Sequence, residues 1–195
     1  MEKQIKLYQS LNALANAGGG VIFGGAEGRT IPLGELKETF ELQGSYYNRS
    51  FDDLRISNAT ELFDRCVAPL APSDIYLHIG QNDLNEDTAV FAQKYSELVQ
   101  HIRSTDKKCS IVIVGLKNPG NDPAVEQLNK QLAVIAQNEC CDFCDIAKQQ
   151  VWNPKQTKEV VSFLYSIGFV RPLKQKRPLQ DIARILFCYD PAYII

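Results

Sequence analysis

The sequence lacks long apolar runs and lacks an excess of either charge. Its apolar stretches, such as residues 111–114, are far shorter than the roughly 20 residues that a membrane-spanning helix requires. The 21 basic and 23 acidic residues give a net charge of −2, so the composition gives no reason to expect nucleic acid or a membrane surface as a partner. No continuous apolar segment follows Lys3 and Lys6, as it would in a signal peptide, so we expect a cytoplasmic protein.

Paired metal ligands are also missing. Three of the six cysteines, Cys140, Cys141 and Cys144, lie close together, but no second cysteine pair lies nearby. The two histidines, His78 and His101, are distant in the sequence, whereas a structural zinc ion usually takes four ligands from paired positions. We therefore expect no metal and no other cofactor. The cysteine cluster is interpreted as a buried strand of small apolar thiols in a reducing compartment, with a metal site as the alternative.

Short apolar runs alternate with helical patterns along the chain. Strands are expected within residues 21–23, 46–47, 74–79, 110–114 and 141–146. Such alternation predicts a parallel sheet that is covered by helices on both faces. A length of 195 residues suits one domain. We therefore predict a single α/β domain over residues 1–195, a three-layer α/β/α sandwich, flavodoxin-like in outline, with a parallel sheet of about five strands.

The helical segments show apolar spacing and recognisable starts. Leu7, Leu11 and Leu14 recur at helical spacing before a glycine run, which ends the first helix. Residues 58–61 have the form of a capping box, which would make Asn58 the cap of the next long helix. Further helix starts are indicated at Asp122, Pro154 and Pro178.

Function is expected in the loops that follow the strands, because ligands of open parallel sheets bind outside the carboxyl ends of the strands. Three such loops can be identified, at residues 24–30, 48–53 and 80–83. The glycines of the first loop could cradle a phosphate, but they match neither a dinucleotide nor a P-loop pattern. Glu27 in that loop would repel an anion, so nucleotide binding is only an alternative.

The second and third loops resemble blocks of the SGNH (GDSL-type) ester hydrolases. Gly80-Gln-Asn82-Asp83 follows a strand and is similar to the family's Gly-x-Asn-Asp, which implies Asn82 as a donor to the oxyanion. Gly80 and Asp83 would support the turn. Asn48-Arg-Ser50 stands where the family has Asn-x-Gly, so Ser50 would offer the second backbone N–H and Asn48 would support it. The resemblance covers about residues 21 to 146.

Two other blocks depart from the family pattern. Gly25 stands where the family has aspartate, and Ala26 stands at the nucleophile, where a methyl group cannot attack an ester. Residues 167–172 occupy the place of the family's Asp-x-x-His and contain neither residue. We therefore expect a catalytically inactive relative whose cleft, bounded by Ala26, Ser50 and Asn82, accepts a small acyl, ester or sugar-like ligand or a partner.

Two alternatives remain at this point. An active esterase would need an unconventional nucleophile, for which Thr30, Ser50 and Cys66 are the nominal candidates. A scaffold or interaction domain could instead form an oligomer through its apolar C-terminal stretch, residues 187–195. A basic cluster precedes the last helix and is either a set of solvated loop charges or a contact for an acidic ligand or partner: Lys174, Lys176 and Arg177. His78 is interpreted as a core group and His101 as a surface group.

Overall fold

Five short strands form one parallel sheet in the computed structural model, which describes residues 1–147 and 179–187. The strands are β1 (Gly20–Gly24), β2 (Tyr46–Asn48), β3 (Asp74–His78), β4 (Ser110–Val114) and β5 (Asp142–Cys144). Their order across the sheet is β2-β1-β3-β4-β5, and all four neighbouring pairs are parallel. The predicted parallel α/β sheet is confirmed.

Seven helices flank the sheet in the described part of the chain. They are α1 (Glu2–Asn12), α2 (Ala26–Arg29), α3 (Leu33–Thr39), α4 (Ile56–Cys66), α5 (Thr88–Thr105), α6 (Pro123–Asn138) and α7 (Leu179–Phe187), with a short 3-10 helix at Ala68–Leu70. Helices α1, α4, α5 and α6 cover one face of the sheet, and α3 and α7 cover the other. None of the helices between residues 1 and 147, nor α7, is long and apolar enough to cross a membrane.

The central strands are buried on both faces, which explains their continuous apolar sequence. Successive side chains of a strand point to opposite faces. Val21 and Phe23 therefore join the core under α1 and α4, whereas Ile22 joins the core under α3 and α7. All three side chains are fully buried. A polar residue in this run would lose its hydration on either face, so the strand cannot alternate apolar with polar residues.

The N-terminus of α4 differs from the sequence prediction. The helix begins at Ile56, and Asn58 lies in its first turn, where its Oδ1 accepts a hydrogen bond from the Arg55 backbone N–H at 3.0 Å. The prediction that Asn58 caps the helix is therefore wrong. The first N–H of the helix, that of the buried Ile56, instead donates to both carboxylate oxygens of Asp83, each at 3.2 Å, in the turn after β3.

Helix α1 is also oriented differently from what its leucine spacing suggests. Its buried side chains are Ile5 and Tyr8, which pack on the core beneath α4. Leu7 and Leu11 on the helix face outward, 54% and 41% exposed, and Leu14, which follows the end of the helix, is 85% exposed. Apolar spacing marks a helix, but it does not show which face the remaining structure covers.

Several predicted features lie outside the described residues. These are the helix after Pro154, the segment 167–172, the basic cluster of Lys174, Lys176 and Arg177, and residues 188–195. The last predicted helix, after Pro178, is confirmed as α7, with Ile182, Ala183 and Leu186 buried. Cys140 is exposed ahead of β5, so the prediction of a uniformly buried cysteine strand is wrong at that position.

Replacing a buried and an exposed leucine tests this arrangement of the helices. Leu98→Ala, at a fully buried position of α5, is expected to lower the free energy of unfolding by about 2–5 kcal/mol, because it leaves a cavity. Leu7→Ala is expected to change it by less than about 0.5 kcal/mol. Urea unfolding followed by circular dichroism measures both values. Equal losses for the two variants would contradict the outward orientation of Leu7.

Candidate functional site

The loops that follow β1, β2 and β3 meet at the carboxyl edge of the sheet. Strand β1 lies between the other two, and the backbone at its carboxyl end hydrogen-bonds to the loop after β2 and to the last residue of β3. The Phe51 N–H donates to the Gly24 carbonyl at 2.9 Å, and the Gly25 N–H donates to the His78 carbonyl at 3.1 Å. The structure therefore brings together the three loops in which the sequence predicts function.

Ala26 begins α2 directly after β1. Gly25 precedes it in an extended conformation as the helix cap, and Ala26 itself is exposed at the edge of the sheet. The Gln81 side chain lies over Gly25, since a Cβ atom on that glycine would lie 2.8 Å from Gln81 Oε1. The position that the resemblance assigns to a nucleophile is thus accessible, but it carries only a methyl group.

Asn82 uses its side chain to join two loops. Its Nδ2 atom donates to the Asp52 carbonyl at 2.8 Å and to the Leu54 carbonyl at 2.9 Å. An amide nitrogen has two hydrogens, so both are engaged within the protein. The role of Asn82 as an oxyanion donor stays a prediction, and an oxyanion would have to displace one of these two carbonyls.

Ser50 and Asn48 form a second internal network. The Ser50 N–H donates to Asn48 Oδ1 at 3.1 Å, and Asn48 Nδ2 donates to the Gly28 carbonyl of α2 at 2.8 Å. The Ser50 hydroxyl is buried and has no hydrogen-bond partner among the described residues. It lies beneath α2, where a Cβ atom on Gly28 would come within 2.8 Å of it. The second predicted oxyanion N–H is therefore already paired, and the hydroxyl points under the helix.

Gly80 and Asp83 shape the turn after β3. Gly80 has a φ angle of +138°, which favours glycine, and a Cβ atom there would lie 3.0 Å from the Leu128 side chain. The Asp83 N–H donates to the Gly80 carbonyl at 3.0 Å, and the Asp83 carboxylate binds the start of α4. Burial raises the pKa of this carboxyl, and the bond from the Ile56 N–H opposes that rise. Asp83 therefore links the turn after β3 to the start of α4.

His78 is the last residue of β3 and lies beside the candidate site. The imidazole is fully buried, and its ring centroid lies 4.7 Å from that of Phe187 on α7. Gln81 Nε2 lies 3.0 Å from both ring nitrogens, and Glu27 Oε2 lies 3.8 Å from Nε2. Burial, together with the charge of Lys117, lowers the pKa of His78 to about 3. The interpretation as a core histidine is confirmed, and its neutral imidazole is a weak base.

Charged side chains cross the edge between α2 and the loop after β2. Arg29 on α2 forms an ion pair with Asp52, and Arg55 Nη1 donates to the backbone carbonyl of Asn82. The Arg29 and Asp52 side chains are each about half exposed, at 46% and 53%. An ion pair exposed to this degree contributes at most about 1 kcal/mol. Sequence reasoning did not identify Arg29, Asp52 or Arg55, because no motif marks them.

The nominal alternative nucleophiles have no base beside them in the described residues. Thr30 Oγ1 donates to the Glu27 carbonyl at 2.9 Å. Cys66 is fully buried on α4, and burial raises the pKa of its thiol, which disfavours the thiolate. His101 lies on α5, where its Nε2 is 2.6 Å from Asp64 Oδ1. Across residues 1–147 and 179–187, no three side chains of the metal-binding types cluster.

Changing Asn82 tests whether its amide holds the two loops together. Asn82→Ala removes two hydrogen bonds and is expected to lower the free energy of unfolding by about 1–3 kcal/mol. Asn82→Asp is expected to cost more at pH 7, because a carboxylate would face two carbonyl oxygens. Urea unfolding measures both, with Asn85→Asp, an exposed residue of the same loop, as the control. A cost for Asn82→Asp no larger than the control's would contradict this role.

The buried imidazole predicts a loss of stability in mild acid. The unfolded chain binds a proton at His78 near pH 6.5, whereas the folded chain does so only near pH 3. The free energy of unfolding is therefore not reduced by His78 above pH 6.5. Below that pH it falls as the pH drops toward 3, by at most about 1.4 kcal/mol per pH unit. We expect His78→Gln to reduce the slope of the unfolding free energy between about pH 7 and 5.

The same measurement on His101→Gln is the control for this prediction, because it removes the other histidine of the chain. Chemical unfolding at several pH values gives the slope for each variant. If the His78→Gln slope equals that of the unchanged protein, the buried neutral state of His78 is contradicted.

Comparison with known proteins gives a structural likeness without a sequence match. No protein-family model matches the chain, and no curated protein shows significant sequence similarity to it. A Streptococcus pneumonia structure described as a candidate platelet activating factor is similar with a TM-score of 0.66 and 16% identity, over 80% of this chain and 78% of that one.

Two further structures show the same likeness. A GDSL-like lipase from Bacteroides thetaiotaomicron has a TM-score of 0.56 and 15% identity, over 87% of this chain and 98% of that one. The acetylxylan esterase Axe2 from Geobacillus stearothermophilus has a TM-score of 0.57 and 15% identity, over 88% and 92% of the two chains. At such identities the likeness concerns the fold alone. The chain therefore has an SGNH/GDSL hydrolase-like α/β fold.

Proposed function

We propose that this chain is a non-catalytic protein with a GDSL-like fold, which uses the carboxyl edge of its sheet to bind a small ligand. The proposal rests on the side chains and hydrogen bonds found at the three positions that the family resemblance marks as catalytic. Ala26 carries a methyl group, and the donors at Ser50 and Asn82 are already paired inside the protein. An oxyanion hole needs donors that are free and aimed at the developing charge.

The count of histidines supports the absence of acyl-transfer chemistry. The chain has two histidines, and both lie in the described residues. His78 is buried without solvent access, and His101 on α5 is paired with Asp64 on α4. A histidine base for a serine-type mechanism therefore cannot come from residues 148–178 or 188–195 either, whatever their position.

The polar rim supports binding of a small ester or sugar-like ligand. Arg29, Asp52 and the half-exposed carboxylate of Glu27 lie beside Ala26 on α2 and the adjoining loop. Because the exposed ion pair contributes little to stability, a ligand could separate it at small cost. Ligand hydroxyls would then bind the carboxylate, and ligand carbonyls would bind the guanidinium. The likeness to an acetylxylan esterase makes acetylated xylo-oligosaccharides the first class to test.

A cytoplasmic location is part of the same proposal. Cys66, Cys109, Cys140 and Cys141 are free thiols, as in proteins of reducing compartments. The alternative of an active esterase with an unconventional nucleophile has no favouring observation, since no base lies beside Thr30, Ser50 or Cys66 among residues 1–147 and 179–187.

Hydrolysis of p-nitrophenyl acetate tests the loss of catalysis. We expect no saturable turnover by the unchanged protein, and none by Ala26→Ser, because a new hydroxyl at that position would still lack a base. Release of p-nitrophenol is followed by absorbance, with buffer and heat-denatured protein as controls. Saturable hydrolysis that disappears in Asn82→Ala, or covalent labelling of Thr30 or Ser50 by a fluorophosphonate, would overturn the proposal.

Calorimetry with an acetylated xylotriose tests the binding site. We expect binding to the unchanged protein and about tenfold weaker binding to Asp52→Asn, a loss of about 1.4 kcal/mol. The matched control is Asp64→Asn. Asp64 is also half exposed, at 50%, and it pairs with His101, away from the carboxyl edge of the sheet. Equal weakening in both variants, or no heat of binding at all, would contradict this ligand class at the rim.

A further inference from the structure

Two neighbouring thiols, those of Cys140 and Cys141, lie between the end of α6 and the start of β5. Cys140 is exposed, Cys141 is half-buried, and both are free thiols. They lie at the amino end of β5, whereas the candidate site lies at the carboxyl edge of the same sheet. Any chemistry of this pair is therefore separate from ligand binding at the candidate site.

The third cysteine of the sequence cluster does not join the pair. Cys144 is buried beneath α7, where its thiol donates to the Gln180 carbonyl at 3.8 Å. Cys141 packs instead against the core on the opposite face of the sheet. Among the residues that the structure describes, no three histidine, cysteine or acidic side chains cluster. A structural zinc ion takes four such ligands, so the described part of the chain offers this pair too few for zinc.

The backbone conformation at Cys140 does not favour cysteine. Its φ angle is +49°, in the left-handed region, where the residue that follows a helix is usually glycine or asparagine. The turn is held in place, because the Cys140 N–H donates to the Gln137 carbonyl at 3.3 Å and the Cys141 N–H donates to the Ala136 carbonyl at 2.8 Å. Local backbone structure therefore does not explain why an exposed thiol stands at this position.

The Cys141 thiol is weakly held and is a slow nucleophile. It donates to the Glu139 carbonyl at 3.6 Å, and a thiol is a weak donor. Arg103 Nη2 lies 3.5 Å from Cys141 Sγ and donates to the Cys140 carbonyl at 3.0 Å. Burial raises the pKa of Cys141 to about 11, although Arg103 opposes that rise. Cys141 is thus protonated at neutral pH, and the exposed Cys140 is the thiol that a reagent meets first.

We propose that Cys140 and Cys141 form a two-thiol site for trivalent arsenicals that carry one organic group. The Cys140 sulfur forms the first bond to arsenic, and the Cys141 sulfur forms the second. For an arsine oxide, the two thiol protons and the oxide oxygen leave as one water molecule, and arsenic stays trivalent. The second bond forms within one molecule, so the effective concentration of the Cys141 thiol is high. Two sulfurs then hold an atom that a single cysteine would release.

A disulfide between the two residues fits the geometry less well. Neighbouring Cα atoms across a trans peptide are about 3.8 Å apart, whereas disulfides usually join Cα atoms about 4.4–6.8 Å apart. An atom placed between the two sulfurs lengthens the link and removes this restriction. The slow Cys141 thiol also disfavours disulfide exchange, which requires a thiolate. The pair is therefore better suited to chelation than to oxidation.

Retention of phenylarsine oxide by the full chain tests the proposal. The protein is incubated with the arsenical and excess glutathione, a monothiol that competes with single cysteines, and intact-mass spectrometry counts the arsenic bound. We expect one equivalent on the unchanged protein, released by the dithiol dimercaptopropanol. Cys140→Ser and Cys141→Ser should each lower the affinity at least about tenfold, because one thiol alone cannot chelate.

The matched controls are Cys109→Ser, which removes another thiol at the amino edge of the sheet, and Cys188→Ser. Both should retain one equivalent, and circular dichroism checks that every variant is folded. The proposal is overturned if the unchanged protein retains no arsenical in the presence of glutathione, or if Cys140→Ser retains as much as the unchanged protein. Loss of retention in Cys109→Ser or Cys188→Ser would overturn it too, because the chelating pair would then be a different one.

Discussion

The pairing of β1 with strands on both sides is the constraint on which the rest of the structure depends. β1 is buried on both faces and hydrogen-bonded along both edges, so its position is fixed. The loop after it is fixed in turn, because Gly24 and Gly25 bind the backbones of Phe51 and His78. Ala26 follows this strand, and Ser50 and Asn82 follow the two strands paired with it, so the sheet holds all three positions at one edge.

The polar groups at this edge are used to hold the loops together. Asn82 binds two carbonyls of the loop after β2, Asn48 binds the carbonyl of Gly28, and Asp83 binds the first turn of α4. Loops packed against a sheet contain backbone groups that need hydrogen-bond partners. The side chains that meet this need make their hydrogen bonds inside the protein. The edge can thus keep its shape without a nucleophile, because its polar residues have structural partners.

Local sequence patterns predicted the strands and helices, whereas contacts between distant residues decide which groups surround them. The strands and the helix starts at Asp122 and Pro178 follow from residues that are neighbours in the sequence. The start of α4 does not, because its first N–H is bound by Asp83, which comes 27 positions later. Likewise the leucine spacing of α1 indicates a helix, but the anchoring of Tyr8 turns those leucines toward solvent.

The sequence by itself determined the parallel α/β fold and the absence of a serine at position 26, since both follow from residue order and type. Only the tertiary structure decided that the amide of Asn82 is engaged by two carbonyls, that His78 is buried beside Glu27, and that Leu7 and Leu11 of α1 face solvent. Hydrogen-bond partners and burial are properties of contacts between distant segments, and a linear pattern does not contain them.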